Sequence, residues 1–155
     1  TVVTPTEGSG NNQALGAIAF GGDLNTRALN TVAAYVIQVG AGTGPFQMAV
    51  LQQASTSTAV VVAVTNIVNS ISGGLFVLPL TAAVNIQGGE IYYLAVWNQV
   101  NASQLGAKVA GTGTVEDAPP INFRVQNLPA GFSLGQTVNI SDVSLQRTPW
   151  LGAMR

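Results

Sequence analysis

The sequence predicts an all-β fold, an antiparallel β-sandwich of the jelly-roll type. Short segments rich in β-branched and aromatic residues follow one another at regular spacing, and turn residues separate them. Apolar residues are nowhere sustained at the spacing of an amphipathic helix. A chain of 155 residues can bury a core without a covalent staple, and this one contains no cysteine. We therefore expect a single domain held together by packing alone.

Residues 1–13 include Pro5, Gly8 and Gly10 and show little periodicity, which indicates a flexible leader or assembly arm. Residues 14–155 are expected to form one β-sandwich domain. The strands predicted within it cover 14–20, 31–39, 46–52, 59–68, 75–80, 91–98, 105–110, 121–126, 137–140 and 143–147.

Several predicted strands are apolar on both faces. In 31–39, Val32, Ala34 and Val36 share one face, while Tyr35 and Ile37 lie on the other. The same two-sided pattern recurs in 60–64 and 91–97. One face packs inside the sandwich, so the second face needs either another subunit or cover from the chain's own loops. Both alternatives remain open from the sequence.

Glycine-rich breaks punctuate these strands. The segment 40–45, Gly-Ala-Gly-Thr-Gly-Pro, superficially resembles a phosphate-binding loop. It lacks the lysine and following hydroxyl of that loop, and a strand rather than a helix is predicted after it. We interpret it as a hairpin turn in which glycine adopts positive φ at low steric cost.

Charge is scarce in this chain. Charged residues make up 7% of the sequence, against roughly 25% in an average soluble domain, and the net charge is −1. No formal charge occurs between Arg27 and Glu90. Because little electrostatic repulsion opposes association, this composition favours self-association. Five Lys and Arg residues also leave few sites for trypsin-like proteases, which suits an extracellular or particle-surface location.

The composition argues against nucleic-acid and membrane partners. Five basic residues cannot form the clustered patch that phosphate backbones require. The most apolar segment, 59–71, is interrupted by Thr65, Asn66, Asn69 and Ser70, so we expect no membrane insertion. The sequence starts at Thr1 without a charged and apolar signal segment, and we expect a processed or excised domain.

Catalytic chemistry has few candidate residues. Without histidine or cysteine, the usual general base and thiol nucleophile are absent, and no zinc or calcium loop pattern occurs, so we expect no enzyme activity, cofactor or metal. Glu116 and Asp117 are adjacent in a Gly- and Pro-bounded loop, where nothing orients them for glycosidase chemistry. Asp23 and Asp142 are interpreted as turn formers that accept hydrogen bonds from backbone amides two residues ahead.

Two basic residues have structural interpretations. Lys108, the only lysine, lies in a predicted strand and would need a remote serine to act as a catalytic base. Arg124 alternates with apolar residues, so its side chain faces solvent or pairs with a carboxylate such as Glu90 or Glu116. We expect pairing of a structural kind.

One local cluster has the composition of a sugar-binding site. Aromatic rings can stack on pyranose rings while neighbouring amides bind hydroxyl groups. The candidate ligand-binding residues are Tyr92, Tyr93, Trp97, Asn98 and Gln99. Core packing explains the same pattern, because Tyr93 and Trp97 share strand parity with Ile91 and Ala95. Glycans are therefore the alternative partner.

Three segments carry a family resemblance: FQMAV at 46–50, GLFVLPL at 74–80 and GGEIYYLAVW at 88–97. Together they resemble jelly-roll modules of phage tail fibres and of surface proteins of Gram-positive spore formers, including globular heads that follow collagen-like stalks. The tail TPWL at 148–151 is similar as well. The resemblance implies a β-sandwich, trimeric or fibrous assembly and no catalytic machinery, and it transfers no binding residues. This sequence contains no collagen-like Gly-X-Y repeat.

The predicted function is a non-enzymatic structural subunit or head domain of an extracellular, self-assembling surface structure: a fibre, appendage, spore coat or virion. The partner is expected to be a second copy of the chain, in a trimer or filament. Candidate assembly residues lie in the leader and the tail, as arms that add to a neighbour's sheet edge: Val3, Pro5, Trp150 and Leu151. The alternative is a carbohydrate- or receptor-binding module of a tail fibre or adhesin.

Overall fold

The computed structural model describes residues 6–8, 12–21, 26–109, 118–144 and 147–155. No helix occurs in these ranges. The strands in chain order are β1 (Thr6–Gly8), β2 (Ala14–Gly21), β3 (Arg27–Gln38), β4 (Thr43–Gln53), β5 (Thr58–Val64), β6 (Val68–Ser70), β7 (Gly74–Ile86), β8 (Ile91–Asn98), β9 (Gln104–Val109), β10 (Asn122–Val125), β11 (Thr137–Asn139), β12 (Arg147–Pro149) and β13 (Leu151–Met154).

The strands form two antiparallel sheets, which confirms the predicted all-β sandwich. Sheet A has the order β1-β9-β3-β13, with β7 also paired to β3 and β12 paired to β9. Sheet B has the order β10-β2-β8-β4-β5-β11, with β6 paired to β4. β12 also contacts β2 and β10 of sheet B, so the two sheets meet along this side.

The inner core lies between the two sheets. Sheet B contributes alternate residues such as Met48, Val50 and Leu94, and sheet A contributes Val32 and Val36. Alternation places every second residue of each strand on this side, because the side-chain period of a strand is two. The rings of Phe46 in β4 and Phe76 in β7 meet edge to face across the sandwich, with 5.5 Å between their centroids.

A second core, the outer core, covers the opposite face of sheet B. It contains Leu51 of β4, Val61 of β5 and Tyr93 of β8, together with residues of the segment 128–140, namely Leu128, Phe132, Val138 and Ile140. The segment is bonded to the sheet through its backbone, since Val61 N donates to Gln136 O. The two-sided apolar strands of sheet B are therefore covered within the chain.

Most strand predictions match the structure, and four need correction. The strand predicted over 31–39 begins earlier, at Arg27. The strand predicted over 59–68 ends at Val64, because the Thr65 side chain bonds to the backbone of Met48 and Asn66 before the separate strand β6 begins. The strand predicted over 75–80 continues to Ile86. Of the strand predicted over 143–147, Val143 and Ser144 belong to no strand, residues 145–146 lie outside the described residues, and Arg147 begins β12. Asp142 instead makes a turn with Ser144 there.

The chain termini take part in sheet A. Residues Thr6–Gly8 of the predicted leader pair with β9, and β13 pairs with β3. The rest of the predicted leader lies outside the described residues, apart from Asn12 and Gln13. In this chain the C-terminal tail is thus an internal strand partner, where the sequence led us to expect an arm.

Candidate functional site

Three strands of sheet A present apolar side chains on the face turned away from the core. The register pairs Tyr35 of β3 with Leu75 of β7, and Ala33 with Val77. On the other side of β3, Gly152 of β13 pairs with Ala33. Because side chains alternate between the two faces of a strand, six exposed apolar side chains lie on the same face of the sheet. We call them the sheet A outer face: Tyr35, Ile37, Leu75, Val77, Trp150 and Met154.

The six side chains of the sheet A outer face are 41–54% exposed, and none carries a charge. Trp150 meets Tyr35 edge to face, with ring centroids 6.3 Å apart. A Cβ atom at Gly152 would lie 3.5 Å from Trp150 Cη2, so the indole extends over the β13 backbone. These contacts join β3 and β13 into one continuous apolar surface.

The four predicted assembly residues do not share one environment in the structure. Trp150 is half exposed and lies on the sheet A outer face. Leu151 is partly buried and packs against the inner core. Val3 and Pro5 lie outside the described residues. Of the four, only Trp150 is shown on an exposed surface.

The predicted sugar-binding cluster lies in the interior. Tyr92, Tyr93 and Trp97 are buried, and Asn98 is buried with them. Tyr92 faces the inner core, whereas Tyr93 and Trp97 face the outer core. Gln99 is partly buried. The rings are therefore packed by the chain itself, as the parity with Ile91 and Ala95 indicated, and they offer no exposed face on which a sugar ring stacks.

The hydroxyls of Tyr92 and Tyr93 and the amide of Asn98 form hydrogen bonds within the chain, whereas the buried Trp97 Nε1 has no partner in the described structure. Tyr93 Oη donates to Pro120 O at 2.9 Å, and Tyr92 Oη accepts from Gln87 N at 3.0 Å. Burial raises the pKa of Tyr93 to about 12. Asn98 Oδ1 accepts from Val100 N at 3.1 Å, and Asn98 Nδ2 donates to Ser103 Oγ at 2.8 Å. The asparagine fixes the turn that leads into β9.

Arg124 pairs with a carboxylate, as predicted, and the partner is Asp142, which the sequence pattern did not indicate for it. Arg124 Nη2 lies 3.0 Å from Asp142 Oδ2, and Gln126 Nε2 donates to the same oxygen at 2.7 Å. Asp142 Oδ1 accepts from Ser144 N at 3.1 Å, which confirms the predicted turn. Asp142 and Arg124 are far apart in the sequence, so local sequence patterns could not predict that they pair. Asp23, Glu116 and Asp117 lie outside the described residues.

Burial of the Asp142 carboxyl acts to raise its pKa. Hydrogen bonds from Ser144, Gln126 and Arg124 outweigh this effect and hold the pKa of Asp142 well below its ordinary value. The carboxylate is therefore a fixed structural anion. Both its oxygens already accept hydrogen bonds, so it is poorly placed to take up a proton from a substrate.

Several other features bear on chemistry. In the described ranges no three His, Cys, Asp or Glu side chains lie close enough together to hold a metal ion. Those ranges also contain no helix with the length and apolarity that a membrane crossing requires. Gly40, Gly42 and Gly44 have positive φ, at 62°, 70° and 140°. The hairpin predicted over 40–45 is wrong, because this turn leads from β3 of sheet A to β4 of sheet B, which do not pair, and β4 begins at Thr43.

The sheet A outer face was not singled out from the sequence. The sequence pattern places Tyr35 and Ile37 on one face of β3. It gives β5 and β8 a second apolar face of the same kind. Nothing in the pattern distinguishes a face that the chain covers from one that it leaves open. The apolar residues of segment 128–140 are the sequence feature that relates to this difference. In the described structure this segment covers the outer face of sheet B and not that of sheet A.

No protein-family model matches this chain, and no curated protein sequence matches it. The function therefore rests on the geometry of the chain's own residues.

Proposed function

We propose that this chain is a non-enzymatic structural subunit, or head domain, of an extracellular self-assembling surface structure such as a fibre, an appendage, a spore coat or a virion. Copies associate in a trimer or filament through the sheet A outer face. The observation that supports the proposal is the continuous exposed apolar surface of β3, β7 and β13. Soluble monomers seldom leave large contiguous apolar surfaces open to water.

The charge distribution favours a second copy of the chain as the occupant of this face. None of the six side chains is charged, so a strongly charged partner finds no complementary group there. A second copy brings an equally uncharged apolar surface, so packing the two copies together leaves no buried charge without a partner. The net charge of −1 adds little repulsion between copies.

Packing of face on face is favoured over strand addition at the sheet edge. β7 pairs with β3, and its one other pairing in the described residues is the isolated bridge between Leu80 and Thr65. Pro79 lies in this edge strand and has no N–H to donate to an added strand. The pairing of β7 with β3 also shifts register between Leu29 and Thr31, which distorts the edge further.

The oligomeric state of the full chain tests the proposal, measured by size-exclusion chromatography with light scattering at micromolar concentration. We expect a defined oligomer. Val77→Lys places a charge in the middle of the apolar face at a position that is already 41% exposed, so it should dissociate the oligomer without unfolding the chain. Leu134→Lys is the matched control, because Leu134 is 60% exposed and lies outside this face.

A wild-type chain that elutes as a monomer at this concentration contradicts the proposal. So does an oligomer whose mass is the same in the Val77→Lys and Leu134→Lys variants. Circular dichroism of both variants checks that the β-sandwich is intact, and a folded monomeric Val77→Lys variant is the supporting result.

A further inference from the structure

A polar groove of about 360 Å³ lies at the surface between residues 124–128 and residues 136–142. One wall follows β10 and the residues after it. The other wall contains β11 and the turn at Asp142. This volume is at the small end of the range of ligand pockets, roughly 300–1,000 Å³.

The backbone of both walls is fixed to the sandwich. Arg124 N donates to Asp142 O at 2.8 Å, which joins one wall to the other. Leu128 N donates to Asn12 O, and Ile140 N donates to Ser57 O. A ligand entering the groove therefore meets walls that are already ordered, which lowers the entropy cost of binding.

Each of three amide side chains in the groove forms a hydrogen bond through one of its two polar atoms, and the other polar atom has no partner in the part of the chain that the structure describes. Gln126 Nε2 donates to Asp142 Oδ2, Asn139 Oδ1 accepts from Ser141 N, and Gln136 Oε1 accepts from Ser133 N. The opposite atoms, Gln126 Oε1, Asn139 Nδ2 and Gln136 Nε2, have no partner within the described residues. The groove thus offers both acceptors and donors in fixed orientations.

Asn127 adds a fourth amide without an internal hydrogen bond in the described structure. Its backbone has a φ of 58°, in the left-handed region that few residues other than glycine and asparagine adopt. Between the polar groups lie the apolar side chains of Val125, Leu128 and Val138, which are all buried. These buried side chains close the floor of the groove, and the amides form its exposed lining.

The electrostatics of the groove favour an uncharged ligand. Arg124 and Asp142 are its charged lining residues, and they neutralise each other at 3.0 Å. An anionic ligand would compete with Asp142 for the guanidinium, and a cation would compete with Arg124 for the carboxylate. Neutral hydroxyl groups, which both donate and accept, match unpaired amide ends of both kinds.

We propose that this groove binds an uncharged carbohydrate, with sugar hydroxyls on Gln126, Asn127, Gln136 and Asn139. The site is separate from the sheet A outer face and from the buried Tyr92 cluster. No aromatic ring is among the described lining residues, so stacking does not contribute. We expect weak affinity, on the order of millimolar for a single sugar.

Saturation-transfer difference NMR on the full chain tests this proposal, because it detects weak ligands whether the chain is a monomer or an oligomer. The probes are D-glucose, D-galactose, D-xylose and N-acetyl-D-glucosamine, each added separately. Asn127→Gly removes an unpaired amide while keeping the positive φ, which glycine adopts freely. Asn66→Ala is the matched control, an exposed asparagine outside the groove.

We expect saturation transfer to at least one sugar, about fivefold weaker binding in Asn127→Gly for the loss of one hydrogen bond, and unchanged binding in Asn66→Ala. The proposal is overturned if none of the four sugars gives a signal. It is equally overturned if the signal survives Asn127→Gly unchanged, or if it falls by the same factor in both variants.

Discussion

Gln47 of β4 and Phe132 of the segment 128–140 are joined by two hydrogen bonds between one side chain and one backbone unit. Phe132 N donates to Gln47 Oε1 at 2.7 Å, and Gln47 Nε2 donates to Phe132 O at 3.1 Å. Gln47 Nε2 also donates to Thr65 O at 3.1 Å. Gly131 makes room for this arrangement, since a Cβ there would lie 2.5 Å from Gln47 Oε1. One buried amide thus attaches the cover of sheet B to the sheet.

Replacing Gln47 with leucine should lower the free energy of unfolding by about 2–4 kcal/mol, because the buried Phe132 N–H loses its partner. Hydrogen exchange at the Phe132 amide should accelerate more than exchange in β8. Urea unfolding measures the stability, and exchange measured by NMR reports the local opening. Gln52→Leu, at a partly buried position of the same strand, is the control, and equal effects of the two substitutions would contradict the assigned role.

Asp142 should make stability dependent on pH in the acid range. Its pKa in the folded chain lies below the ordinary value of 3.8, so its contribution is fully present above that value and is lost as pH falls below it. Asp142→Asn should therefore be less stable than wild type at neutral pH. The difference between the two proteins should shrink as pH falls from about 5 downwards.

Urea midpoints measured across this acid range check the Asp142 prediction. The asparagine variant keeps the side-chain shape and removes the titrating group, while the remaining carboxylates titrate alike in both proteins. Parallel pH profiles for wild type and Asp142→Asn would show that the ion pair with Arg124 does not contribute in this way.

Tyr93 should make the stability of the chain dependent on pH in the alkaline range. Burial raises its folded-state pKa from 10.0 to about 12, so the folded chain favours the neutral phenol. Its contribution is present below pH 10.0 and is lost as pH rises from there to about 12. Tyr93→Phe removes this dependence and costs about 1 kcal/mol at neutral pH through the lost bond to Pro120 O. Alkaline unfolding curves of both proteins test it, and equal steepness would count against it.

The turn before β4 should require glycine at position 40 for steric reasons. A Cβ at Gly40, where φ is 62°, would lie 2.3 Å from Asn101 O. At Gly89 φ is 87°, but a Cβ meets nothing within 4 Å. Gly89→Ala should cost about 1 kcal/mol for the left-handed backbone alone, and Gly40→Ala should cost clearly more. Thermal unfolding of the two variants compares them, and equal losses would mean that the Asn101 loop moves freely.

Local patterning predicted most of the strands because the information is local. The observed bounds of β8, Ile91–Asn98, match those expected from the Ile-Tyr-Tyr-Leu run, and β4 and β9 differ by only a few residues. The second half of β7 and the whole of β13 were missed. Small residues and asparagine dilute the apolar signal there, and both strands are stabilised by pairing with β3.

The candidate sites were harder to predict than the strands. The Tyr92 to Gln99 cluster has the composition of a sugar site, yet burial removes its rings from solvent. The groove at Asn127 contains no aromatic or charged motif that stands out in the sequence, and its walls come together only through bonds such as that from Arg124 N to Asp142 O.

By itself, the sequence determined an all-β sandwich with charge-poor, two-sided apolar strands, because alternation and glycine turns act between neighbouring residues. Only the tertiary structure decided which of those apolar faces remains exposed. The segment 128–140 lies far along the chain from β4 and β5, and it folds back to bury the outer face of sheet B. The face formed by Tyr35, Val77 and Trp150 stays exposed. Which surface a distant segment covers depends on long-range packing, and no local pattern records it.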